Sequence, residues 1–131
     1  MLDARTLATS DLVGFLGGQF EVRKRSENQY FCGRIREIGI VGNELVVRFT
    51  WVAAADPPAD AESRWVKVDS ATADDSYKAP LYKGALTIYV IDVVGSRWIL
   101  HSKLLQEVLV LYPPDAPKLR KLDATTFVVR S

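Results

Sequence analysis

ELVVRFTWVAA, residues 44–54, alternates too regularly for a helix. Leu45, Val47, Phe49, Trp51 and Ala53 share one parity and are all apolar, while Arg48 and Thr50 take the other. Successive side chains of a strand point to opposite faces, so this stretch reads as a β-strand with one buried face. An amphipathic helix would instead repeat its apolar positions every three or four residues.

The neighbouring sequence extends the pattern. Gly42 and Asn43 form a two-residue hairpin signal, so residues 30–41 (YFCGRIREIGIV) are the expected partner strand. The alternation there slips near Glu37, and Gly33 and Gly39 interrupt it, which predicts a bend or bulge. Residues 19–25 (QFEVRKR) set Phe20 and Val22 against Glu21, Arg23 and Arg25 and predict a further strand. Before it, residues 1–17 read as a helical segment, with Thr9 or Ser10 as cap, Asp11 in the first turn and Gly17-Gly18 as the stop.

Downstream, residues 55–62 (ADPPADAE) read as a polar loop, because two prolines do not fit a central strand. A short strand is expected at 64–69, and residues 70–80 (SATADDSYKAP) read as a second polar loop. Residues 84–94 are rich in Ile, Val, Thr and Tyr and predict one continuous strand. Gly95-Ser96 then turns the chain into a strand at 97–101, and another is expected at 107–112 after a turn around Ser102 and Lys103. A helix capped by Ser102 is the alternative for 102–108. Pro113, Pro114 and Pro117 break the chain, and a last strand is expected at 125–130.

The fold class expected is therefore mainly β. The chain, 1–131, reads as a single antiparallel β-barrel domain of about eight short strands with a short N-terminal helix. The barrel is lipocalin-like if all strands join it, or a smaller SH3-like barrel with the acidic loop as an insertion. The helix-then-barrel order is loosely similar to lipocalin-like small-molecule binders, a likeness of architecture alone.

Composition narrows the function classes. Hydrophobic residues make up 48% and charged residues 25%, the profile of an ordinary globular domain. Seventeen basic residues against sixteen acidic leave a net charge of +1, so the charge balance does not call for a nucleic-acid partner. The balance is uneven along the chain: residues 56–80 carry −3 and residues 81–131 carry +3. Cys32 is the only cysteine and His101 the only histidine. An intrachain disulfide is impossible, and a reduced, cytoplasmic setting fits best. A zinc site wants about four soft ligands and the chain has too few, so no metal and no cofactor are expected. No secretory signal or membrane span is read from the sequence.

Strands apolar on both faces, such as 84–94 and 107–112, need cover on both sides. Either the N-terminal helix supplies it or a second copy does, and a homodimer is one expectation. Glycine-rich Gly14–Gly18 lacks the Lys-Ser or Lys-Thr of a phosphate loop and reads as a turn. No catalytic residues are expected, and no motif demands an enzyme. The leading expectation is a non-enzymatic domain that holds a small organic ligand in a cavity or groove. Arg48, Tyr89, Arg97 and His101 are the candidate polar contacts, with Trp51 or Trp98 as an apolar wall. The alternative is an SH3-like module that binds protein or single-stranded nucleic acid through Arg23, Arg25, Arg34, Arg36 and Arg48, with Tyr30 and Tyr89 as stacking surfaces. Glu21, Glu27, Glu37 and Glu44 are interleaved with those arginines, and this weakens the alternative.

Overall fold

In the computed structural model, residues 2–24, 29–51 and 74–114 are described. The expected loop at 55–62 and the strands at 64–69 and 125–130 lie outside the described residues.

The alternating stretch forms β4, Glu44–Trp51, with Leu45, Val47 and Phe49 buried and Glu44 and Arg48 exposed. Its partner is β3, Gln29–Val41, joined through a tight turn in which Val41 faces Glu44 and Gly42 adopts a φ of 61°. Only glycine takes that left-handed conformation without strain. The expected irregularity is a bulge between Ile35 and Glu37, which leaves Arg36 without a cross-strand partner. β2, Gln19–Lys24, pairs with the other side of β3.

Residues 74–80 correct the second loop expectation. They form β5, Asp74–Pro80, paired along β4 from Thr50–Asp74 to Glu44–Pro80. Tyr77 and Ala79 face the core and Ser76 and Lys78 face out. The polar composition of an edge strand with one solvated face had hidden a period-two pattern.

Residues 84–94 are not one strand. A two-strand hairpin, β6 (Tyr82–Lys83) and β7 (Leu86–Thr87), comes first, then β8 (Val90–Val94). Between them the N–H groups of Ile88 and Tyr89 both donate to the Leu81 carbonyl, at 2.9 and 3.1 Å, instead of to a ladder. β9, Arg97–Ser102, and β10, Glu107–Tyr112, complete the meander, with Val94 facing Arg97 across the expected hairpin. Residues 103–106 are a turn, so the helix alternative is not realised.

The N-terminal helix is also smaller than expected. A two-residue strand, β1 (Leu2–Asp3), precedes two 3-10 segments, Ala4–Thr6 and Thr9–Phe15. Asp11 reaches back to accept from the Ala8 N–H at 2.8 Å, a carboxylate satisfying an N-terminal donor. Asp3 caps the first segment and takes hydrogen bonds from the Arg5 side chain and backbone and from Thr87. The Arg5 guanidinium and N–H are the main reason its carboxyl is pulled down to about 2.

All main-sheet pairings are antiparallel, and the strand order is β1-β8-β9-β10-β2-β3-β4-β5. This is a meander in cyclic sequence order, with β10 beside β2. Among the described residues a closed barrel is not found: β5 and β1 end the sheet and no ladder joins them. The break falls where Pro80 lacks an N–H and the following segment spends its donors on Leu81. The sheet is nevertheless strongly curled. Four strand intervals separate β5 from β10, roughly 19 Å in a flat sheet. Yet Tyr77 on β5 hydrogen-bonds Glu107 on β10 across the interior.

The core fills the resulting trough. Phe20 and Phe49 meet edge to face, with centroids 4.7 Å apart. Gly33 lies beneath them; a Cβ there would stand 2.3 Å from the Phe49 ring and 3.0 Å from Phe20. Leu12 and Phe15 of the second 3-10 segment, which lies against β3, are buried, and Phe15 packs edge-on against Trp98 at 5.2 Å. β10 is buried on both faces by this chain itself, with Val110 and Tyr112 only 6% and 3% exposed on the outer side. β8 keeps Val90, Val93 and Val94 exposed. No helix among the described residues is long and apolar enough to cross a membrane.

Candidate functional site

Cross-strand register sorts the interior of β9, β10 and β2 into rows. Trp98, Leu111 and Phe20 form one row, and Leu100, Leu109 and Val22 form the next. The third row, Ser102, Glu107 and Lys24, is polar. Opposed residues in an antiparallel ladder share a face, so Glu107 enters the same interior as Leu109 and Leu111.

Glu107 is 4% exposed. The Tyr77 hydroxyl donates to its Oε1 and the Tyr89 hydroxyl to its Oε2. A carboxylate has no proton to give, so each phenol must be the donor. Tyr77 comes from one edge of the sheet and Tyr89 from the segment leading into β8. The carboxylate therefore ties together the two sides of the seam where no ladder forms. The Lys24 ammonium lies 3.9 Å from Glu107 Oε1 and 5.7 Å from the centre of the Tyr77 ring. Its side chain is 29% exposed, reaching from the interior towards solvent. Phe20 stacks at a tilt on Tyr77, 6.0 Å between centroids, and forms the apolar wall.

The turn before β10 aims this group. Ser102 Oγ accepts from the Leu105 N–H at 3.1 Å. Gln106 has a φ of 51°, uncommon for a residue with a side chain. Non-glycine residues held there cost of order 1 kcal/mol and persist where the surroundings fix them. Here the conformation leads directly into Glu107.

The residues picked from the sequence divide between the two faces. Tyr89 is fully buried and belongs to the site. Trp98 is half-buried on the interior face, in the row farthest from Glu107. Arg97 and His101 share the outer face of β9, where His101 Nε2 is 3.2 Å from Asp92 at a half-exposed position. Arg48 is exposed on the outer face of β4, 3.2 Å from Glu37, a surface pair of little energetic weight. The Trp51 side chain lies outside the described ones, as do Tyr30 and Arg25. Arg23 is buried, while Arg34 and Arg36 are exposed on the outer face, with Arg36 Nε donating to Thr50 at 2.9 Å and Thr50 donating to Asp74 at 2.6 Å.

Glu107, Tyr77 and Lys24 were not among the sequence candidates. The signal for two of them was phase: Glu107 shares parity with Leu109 and Leu111, and Lys24 with Phe20 and Val22. A charged residue in step with an apolar face is worth marking. Among the described residues, no three His, Cys, Asp or Glu side chains cluster as metal ligands. What the arrangement offers is a dry carboxylate, two phenols and an aromatic wall, suited to holding a positive charge or a hydrogen-bond donor. No protein-family model, curated protein or solved structure matches this chain.

Proposed function

We propose that this chain is a non-enzymatic binding domain that holds a small organic ligand at the polar end of the trough of its curled sheet, where Lys24 reaches solvent. Glu107, Tyr77 and Tyr89 are its polar contacts, and Phe20 with Phe49 its apolar wall. Of the residues picked from the sequence, Tyr89 belongs to this contact set. A reducing, cytoplasmic setting accords with the single cysteine.

One observation carries the reading: a carboxylate is buried between two phenols at the seam of a mostly apolar interior. Burying such a charge costs several kcal/mol, and apolar residues of similar volume are often at least as stabilising. The adjacent rows of Leu100, Leu109 and Val22 show that these same strands accommodate an apolar alternative. A polar row kept beside them points to binding, since buried polar groups converging in a concave interior are the usual anchor of a ligand site.

A thermal-shift screen against metabolites, hydrophobic compounds and short oligonucleotides tests this. A ligand at a hundred times its Kd adds ~2.7 kcal/mol. The expected result is stabilisation by small organic compounds that is lost in Glu107→Gln. Stabilisation by oligonucleotides alone, falling steeply with salt, would instead support the outer arginine face. That second reading rests on Arg34, Arg36 and Arg48 being exposed on one side of β3 and β4, and it is weakened by Glu37 and Asp74 among them.

A further inference from the structure

We infer that the ligand class is a primary amine, whose ammonium takes the seat that the Lys24 ammonium occupies. This rests on the binding reading above and names its chemistry.

The seat is built for a cation. On one side is the Glu107 carboxylate, which two phenolic hydroxyls hold in place by donating to it. On another is the face of the Tyr77 ring, whose π-electrons attract positive charge within about 6 Å. Lys24 meets both, at 3.9 Å from the carboxylate and 5.7 Å from the ring centre. The carboxylate distance is an ion pair, longer than the ~2.8 Å of a charge-assisted hydrogen bond. A ligand ammonium is not tethered to β2 and is able to settle closer.

The seat also lies at the solvent margin of the interior. Lys24 is the last residue of β2 and its side chain is 29% exposed, so its route to solvent is already open. Lysine heads leave apolar surroundings for water at small cost because the stem is flexible. When the stem swings out it vacates the volume of a short alkylamine, beside Val22 and Leu109. An anionic ligand is disfavoured by Glu107, and a neutral alcohol brings a single hydroxyl donor to the carboxylate but no charge to it or to the ring face. The lysine thus acts as a built-in stand-in for the ligand it excludes.

The probe is n-propylammonium, which matches the lysine side chain beyond Cβ. It is titrated into the wild type, Lys24→Ala and the double variant Lys24→Ala/Glu107→Gln, with n-propanol, propionate and sodium chloride as controls. Binding to Lys24→Ala is expected to be about tenfold tighter than to the wild type. Propanol and propionate should give no response, and Glu107→Gln should abolish the gain. In the wild type, whose folding is not at issue, n-butylammonium should shift the Lys24 Cε resonance while n-butanol does not. If Lys24→Ala is folded and answers propylammonium no more than sodium chloride, the inference falls. If Lys24→Ala does not fold, an unmoved Lys24 Cε signal overturns it instead. A neutral compound that stabilises the wild type through Glu107, with no amine binding, would leave the binding reading standing and remove the amine. No stabilisation by any small compound removes both.

Discussion

The two ends of the same three strands are built on opposite physics. Where β9, β10 and β2 carry Trp98, Leu111 and Phe20, the interior is held by packing and the exclusion of water. Two steps along each strand, Ser102, Glu107 and Lys24 are held by directed hydrogen bonds and charge. Packing tolerates other apolar side chains of similar volume, whereas a hydrogen-bonded carboxylate tolerates only what satisfies its donors. The apolar end thus constrains shape and volume, and the polar end constrains the hydrogen bonds.

The sharpest challenge is Glu107→Ala. It removes the carboxylate to which two buried phenols donate and beside which the Lys24 ammonium sits, and should cost about 4 kcal/mol by urea unfolding. In the next row, Leu109→Ala should cost about 3 kcal/mol, since it opens a cavity among fully buried neighbours. Leu109→Met should keep most of that stability, within about 1.5 kcal/mol of wild type. If an equally conservative change at Glu107, to Gln, proves as harmless as Leu109→Met, the two ends do not differ as described. Gly33→Ala probes the apolar end by overfilling it, and a loss of about 2 kcal/mol with a lowered Tm is expected from the collision with Phe49.

The smallest effect is one of pH, away from both ends. Asp3 has its carboxyl lowered from 3.8 to about 2, chiefly by hydrogen bonds from Arg5. A carboxylate depressed in the folded state adds stability that is complete above its unfolded value and lost as pH falls through the folded one. Between pH 4 and 2 the wild type should therefore lose slightly more Tm than Asp3→Asn, with equal slopes above pH 5. Equal slopes throughout would mean that the Asp3–Arg5 contact does not contribute in solution.

Much of this architecture is legible in the residues. The parity of Leu45, Val47 and Phe49 predicts β4 and its buried face, and Gly42 and Gly95 mark the hairpins. The slip near Glu37 marks the bulge. What escapes is non-local. Tyr77 sits among Asp, Ser and Lys, and only pairing with β4 reveals its strand. The Ile88 and Tyr89 N–H groups both turn to the Leu81 carbonyl, which no local propensity encodes. The site is harder still. Of its polar members only Tyr89 was picked, because the carboxylate that unites Tyr77 and Tyr89 looks like the polar start of an apolar run until the sheet curls.

The cyclic strand order has a kinetic consequence. β2 to β4 and β8 to β10 are each chains of neighbouring hairpins, able to zip in microseconds from local contacts. Joining β10 to β2, like joining β8 to β1, brings together strands from opposite ends of the described chain and requires a long loop closure. Chains that wait on such pairings fold in milliseconds to seconds. Glu107 first faces Lys24 at that closure, so this ion pair forms only once the two meanders dock. Val22→Ala and Leu109→Ala should then slow refolding more than they speed unfolding.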